Sequence, residues 1–307
     1  MGRMIPRHQF RADYSAADLE TQPMRRVVTA ASKVPEVTVF FWIIKVLSTG
    51  MGETTSDFLV HTIDPVIAVA IAGVFFLAAL VLQLLARRYV PWVYWLAVVM
   101  VAIFGTMVAD AVHIVLHVEY LVSVIFFSFA LAAVFVAWYA SERTLSIHSI
   151  YTLRRELFYW ATIVTTFALG TAVGDLTATT LPSVAGIATT TSHLGYFMSG
   201  VLFAILFFLP GVGYKLFGLN GVFAFWFAYI MTRPLGASFA DWLGRPPEFS
   251  GVGVGTGRIS LLLAAVIIVL VGYLTVKHRD TRRDTQFGRD GHGRRAGRDS
   301  KPFERGW

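Results

Sequence analysis

Four aspartates recur at one position of a repeated pattern: an aromatic residue, a Trp, nine residues, a Gly, four residues and an Asp. The copies are Phe41-Trp42 to Gly52 and Asp57, Tyr94-Trp95 to Gly105 and Asp110, Tyr159-Trp160 to Gly170 and Asp175, and Phe225-Trp226 to Gly236 and Asp241. The segments otherwise share little sequence, so the invariant spacing marks internal duplication. Each copy lies in a long apolar stretch. Carboxylates there are costly and are functional candidates by default. Glu53 precedes Asp57 by four residues and shares its helix face. The carboxylates also have a structural reading, because an Asp can bond backbone or a Ser/Thr of a facing helix. Thr54, Thr55, Ser56, Thr106, Thr171 and Thr177 are available for that.

Two basic residues share these stretches, Lys45 and Arg233. Five acids against two bases leave a formal excess of three negative charges. Such a set calls for protonation or a bound cation. The expected role of Lys45 and Arg233 is to pair with one acid each. Asp110, His113 and His117 are spaced for one helix face, and His61 follows Asp57 by four. Carboxylate with imidazole suits a divalent transition metal, although histidines near a helix end can also be interfacial. The expected metal ligands are Glu53, Asp57, Asp110, His113, His117, Asp175 and Asp241. Lys45, Gly52, Gly105, Gly170, Arg233 and Gly236 are expected to support transport.

Small residues let helices approach closely in lipid, or let a helix unwind so that its carbonyls line a site. Gly52, Gly105, Gly170 and Gly236 fit either role. Arg233-Pro234 is expected to break or kink its helix. The repeated Trp residues read as interfacial anchors or packing wedges. They lie fifteen residues before each Asp, about 22 Å of helix.

The elements that must carry these groups are apolar helices. The chain is 56% hydrophobic with mean hydropathy +0.63, and only 15% of its residues are charged. It has no cysteine, which excludes disulfides, zinc-thiolate sites and thiol catalysis. The expected fold is an all-α integral membrane protein with eight transmembrane helices, as four two-helix repeats in the same orientation. The helices are expected near 36–60, 66–86, 91–117, 120–140, 156–177, 193–209, 221–243 and 258–276, the sixth stopping at Pro210-Gly211. A basic cytoplasmic arm (1–34) precedes repeats 1 and 2 (35–140). A cytoplasmic linker (141–155) leads to repeats 3 and 4 (156–276) and a disordered basic tail (277–307). Of the 26 Lys and Arg, 22 fall on one side of this arrangement. Arg245 and Arg258 fall on the other, which predicts that both termini are cytoplasmic. The basic residues sit in loops and tails, so topology explains the net charge of +7 without nucleic acid.

The stretch Lys33-Val34-Pro35-Glu36-Val37-Thr38, with Gly52-Glu53-Thr54-Thr55-Ser56-Asp57-Phe58 and Gly170-Thr171-Ala172-Val173-Gly174-Asp175-Leu176-Thr177, carries a resemblance. It resembles a bacterial family of uncharacterised membrane-anchored proteins built from a short repeat of unknown function. The resemblance covers roughly residues 33–276. It implies a multi-pass protein of the bacterial inner membrane and brings no established activity. Gly-Glu-Thr and Gly-Asp-Leu-Thr are also similar to acidic motifs of manganese and calcium exporters. The chain departs from those in spacing and helix count.

The function expected from these residues is secondary transport of a cation, a divalent metal ion exchanged for protons. The expected partners are membrane lipid and the transported ion. No organic cofactor is expected, and no Gly-x-x-x-x-Gly-Lys-Ser/Thr motif is present for ATP. Two other classes remain open. For an intramembrane hydrolase, Ala172-Val173-Gly174-Asp175 lacks the first Gly of a Gly-x-Gly-Asp aspartyl-protease site, and a metal hydrolase on Asp110, His113 and His117 would need a general base that the sequence does not identify, so no enzyme is expected. A scaffold or sensor would act through its basic tail on a partner or anionic lipid.

Overall fold

The computed structural model describes residues 32–114, 117–180 and 194–277. Expectations for the rest of the N-terminal arm, for 115–116, for the Thr/Ser-rich segment at 181–193 and for 278–307 lie outside the described residues. The described residues form eight α-helices and no strand: α1 (Val39–Thr62), α2 (Pro65–Leu85), α3 (Pro91–Ile114), α4 (Tyr120–Glu142), α5 (Leu153–Thr180), α6 (Gly195–Phe217), α7 (Gly221–Gly244) and α8 (Thr256–Lys277).

Local chemistry sets the helix ends. Thr38 accepts from the amide of Phe41 to open α1. The Asp64 carboxylate accepts from Val66 and Ile67, with Pro65 in the first turn, to open α2. Asn220 caps α7 the same way. Gly218, at φ +65°, closes α6 in the left-handed conformation that glycine tolerates. Three expectations change. Helix α6 continues through Pro210 to Phe217. Helix α3 is described as far as Ile114, and His117 (φ 54°) is not helical, so it does not continue the helical face of Asp110 and His113. Helix α7 runs unbroken through Arg233-Pro234. Thr49 of α1 donates to the Thr232 carbonyl in that turn, and tight packing of α1 on α7 holds it helical.

Among the described residues six helices are long and apolar enough to cross a membrane: α2 to α6 and α8. Burial sorts them into two layers. Of the apolar window in α3, 72% is buried, and in α5 67%; in α2, α4 and α8 the share is 22%, and in α6 28%. The poorly buried helices are apolar on their outer faces too, with Val74, Phe129, Phe208 and Leu261 exposed. That is the pattern expected of helices facing hydrocarbon. Helices α1 and α7 carry charges and are well buried, so they belong to the inner layer.

The four motif helices form that inner layer, closed in the order α1, α3, α5, α7 and back to α1. Each outer helix packs chiefly on the inner helix of the next copy: α2 on α3, α4 on α5, α6 on α7, and α8 on α1. The two helices of one copy touch little, so adjacent copies interlock rather than stand as separate hairpins.

The repeated glycines mark the inner contacts. A Cβ at Gly52 would lie 2.6 Å from Ala102 Cβ, and one at Gly105 would lie 3.0 Å from Phe167 Cβ. At Gly170 it would overlap the Arg233 side chain, and at Gly236 the Thr49 hydroxyl. Each of these neighbours stands three residues before the glycine of the next copy. One contact is thus made four times around a closed ring. The glycines pack unbroken helices together, and no inner helix unwinds at them.

The aromatic pairs close a second ring. Phe41 meets Trp95 at 5.8 Å between ring centroids, Tyr94 meets Trp160 at 5.8 Å, Tyr159 meets Trp226 at 6.2 Å, and Phe225 meets Trp42 at 5.6 Å. Trp95, Trp160 and Trp226 are buried, which makes them packing wedges rather than surface anchors. All four Trp residues gather at one end of the bundle. The inner helices therefore run parallel and carry their acids toward the other end.

Candidate functional site

The second shared layer is charged. Glu53, Asp175 and Asp241 bring carboxylate oxygens from α1, α5 and α7 within 4.8 Å of one another. Glu53 and Asp241 are almost wholly buried, and Asp175 is partly so. Asp57 and Asp110 stand beside them. Ser56 reaches Asp110 Oδ2 at 3.5 Å, a long hydrogen bond. All five expected carboxylates thus occur in one layer of the inner bundle, and three form its closest group.

Arg233 crosses the centre of this layer. Its Nη2, with two hydrogens to share among them, lies within hydrogen-bond distance of three acceptors: Glu53 Oε2 at 2.6 Å, Thr171 Oγ1 at 2.7 Å and Thr106 Oγ1. Glu53, Thr106 and Thr171 each follow the repeat glycine of their own copy. One nitrogen from the fourth copy therefore binds the equivalent residue of the other three. Gly170 makes this possible, because a Cβ there would occupy the path of the Arg233 side chain. Arg233 pairs with an acid, as the charge balance leads one to expect.

Lys45 does not. It is buried, with Nζ 4.1 Å from the centroid of the Phe167 ring and 4.4 Å from that of Tyr229. Among the described residues no carboxylate lies within ion-pair distance of it. The reason is axial position. Lys45 precedes Glu53 by eight residues, about 12 Å along the helix, which places it nearer the aromatic end.

Arg245 takes the role expected of Lys45. It lies 3.0 Å from Asp57 and 3.2 Å from Asp241. Burial works against its charge, but Asp241 and Asp57 beside it outweigh that and hold its pKa above the ordinary value. The Gly-rich segment after α7 fixes its backbone. Gly253 donates to the Arg245 carbonyl, and a side chain at Gly251 would collide with that carbonyl. Sequence reasoning reads Arg245 as a loop residue. Its spacing of four from Asp241 is the signal that could have found it.

The histidines stay outside the closest acid group. His113 Nδ1 bonds the Val118 carbonyl at 2.6 Å, and its ring stacks on Tyr120 at 3.7 Å. His61 Nδ1 bonds the Asp57 carbonyl oxygen, not the carboxylate. The oxygen-rich group that remains suits a hard divalent cation better than a carboxylate–imidazole site would.

Fold and site define an all-helical, repeat-built protein with a charged centre enclosed by its motif helices. The family model described as Repeat of Unknown Function (DUF347) matches it three times, over residues 40–89, 93–144 and 224–280. The chain belongs to this family, and the matches coincide with the first, second and fourth copies. The third copy, on α5 and α6, lies outside the matched residues yet makes the equivalent glycine and aromatic contacts. No curated protein and no solved structure matches the chain.

Proposed function

We propose that the chain is a secondary transporter of a divalent cation, exchanged for protons, in the bacterial inner membrane. The supporting observation is the approach of Glu53, Asp175 and Asp241 oxygens to within 4.8 Å, on three helices. Like charges this close are tolerated only with protons or a cation among them. Five carboxylates against the two guanidinium groups of Arg233 and Arg245 leave three negative charges to be balanced. Protons on the acids in one state and a metal ion in the other would satisfy that balance. Each carboxylate faces an arginine, a hydroxyl or another carboxylate. The proposal assigns these carboxylates to ion and proton binding and includes no enzymatic role.

The proposal carries a topology. All eight helices span, α1 and α7 being shielded from lipid by the outer layer, and both termini are cytoplasmic. Reporter fusions after Arg88 and Arg155 should read cytoplasmic, and one at Ser250 external. An external reading at Arg88 would remove the eight-span arrangement. The activity itself is tested by uptake of Mn, Zn, Ni, Ca and Mg into liposomes, with and without a pH gradient. Uptake of at least one ion, accelerated by the gradient, is expected. No flux of any of these ions would overturn the proposal.

A further inference from the structure

A cleft of about 1190 Å3 opens between α1 and α6, with α7 as its floor. Its walls are apolar: Trp42 and Ile43 come from α1, Phe207 and Phe208 from α6, Val222 and Phe225 from α7. Ile43 and Phe208 are also exposed at its rim, so the cleft is open toward the side of the bundle. Its polar groups gather at one end. Thr38 caps α1 there, Ser146 and His148 lie between α4 and α5, Lys215 stands in the last turn of α6, and Asn220 caps α7. That is the end at which the repeat Trp residues gather. The cleft is therefore amphipathic along the bundle axis. It follows α6 from Ala204 to Lys215, about 16 Å. One leaflet of a bilayer, half of its ~30 Å hydrocarbon core, has a similar depth.

Two features narrow the occupant. Gly211 leaves the α6 wall open, since a Cβ there would meet nothing within 4 Å. Lys215 is exposed and makes no ion pair among the described residues, whereas His148 already faces Glu36 at 3.8 Å. An uncharged hydrocarbon chain would fill the trough and leave the lysine unused. A soluble anion would meet the lysine and leave the trough empty. We infer that the cleft holds one phospholipid of the anionic class, with an acyl chain between α1 and α6 and its phosphate at Lys215. Basic pockets between membrane helices on the cytoplasmic side bind such headgroups, and the topology proposed above puts Lys215 on that side. The site lies apart from the carboxylate layer. It depends on the helices lying in a membrane and not on the cation reading.

Native mass spectrometry of the full-length protein, released from detergent, tests the assignment. Dioleoyl phosphatidylglycerol and dioleoyl phosphatidylcholine are titrated in, because they share their chains and differ in headgroup charge. Phosphatidylglycerol should be retained about fivefold more tightly, the weight of one lysine beside an anionic headgroup. Lys215→Gln should remove that preference, and Lys215→Arg should keep it. Inorganic phosphate, an anion without a chain, should not displace the lipid. Gly211→Trp fills the open wall and should weaken retention with Lys215 still in place. Lys215 is exposed, so its variants keep the test open where Gly211→Trp fails to fold. Equal retention of the two lipids, an unchanged preference in Lys215→Gln, unchanged retention in folded Gly211→Trp, displacement by phosphate, or a dimer that forms in place of lipid binding would overturn the assignment.

Discussion

The two ends of the inner bundle treat the repeat differently. At the aromatic end every copy contributes the same residue types and the same contact. The pairs Phe41–Trp95, Tyr94–Trp160, Tyr159–Trp226 and Phe225–Trp42 run around the ring without exception. At the charged end the framework persists but its occupants diverge. The residue after the repeat glycine is Glu53, Thr106, Thr171 or Ala237, and the residue three before it is Thr49, Ala102, Phe167 or Arg233. Packing that recurs in every copy serves the architecture. Chemistry that differs between copies at equivalent positions serves the site. A strictly fourfold centre would place four arginines or four glutamates together, and like charges so close would repel. Divergence lets one arginine meet one glutamate and two hydroxyls.

The largest expected effect is on the charged end alone. Asp57→Asn and Asp175→Asn should each abolish cation flux while leaving folded protein in the membrane and the Trp fluorescence unchanged. Full flux in both variants would break the distinction drawn between the two ends. Next in size is the axial ion pair. Arg233→Met leaves Glu53 buried without its partner and should destabilise by about 3–5 kcal/mol. Adding Glu53→Met should recover much of that loss, because the stranded charge goes with it. A double variant as unstable as the single would show that Arg233 acts by packing and not by charge.

Smaller effects should follow the glycine ring. Gly236→Ala drives a methyl group into Thr49 and the Val46 carbonyl, and should cost about 1–3 kcal/mol. Gly211→Ala lies in helix α6 with nothing within 4 Å, and should be neutral or stabilising by about 0.5–1 kcal/mol. Thermal unfolding in detergent compares the two, and equal midpoints would remove the glycine ring as the reason for the spacing. A smaller loss than that of Gly236→Ala is expected at the aromatic end. Trp226→Phe keeps a ring in place but loses the 2.9 Å hydrogen bond from Nε1 to the Leu145 carbonyl. A loss of about 0.5–1.5 kcal/mol is expected, with cation flux unchanged.

The sequence by itself determined the repeat, the apolar helices and the positions of the acids. Spacing and hydropathy are local properties, and they are written along one chain. It also indicated that Arg233 should find an acid, since a charge in an apolar stretch needs one. Residue type alone could not choose between Lys45 and Arg245 as the second basic partner. Its place within the apolar stretch points to Lys45, yet Lys45 sits two helical turns toward the aromatic end from Glu53. Arg245 reads as a loop residue in the sequence, yet the glycine-rich segment folds back on α7 and holds it against Asp57 and Asp241. The order of the inner helices, the packing of each outer helix on the next copy, and the meeting of Arg233 with three equivalent residues were likewise decided only in the tertiary structure. The three Arg233 contacts join residues separated by 62 to 180 positions. No local pattern encodes them, because they depend on which helix faces come together when the ring closes.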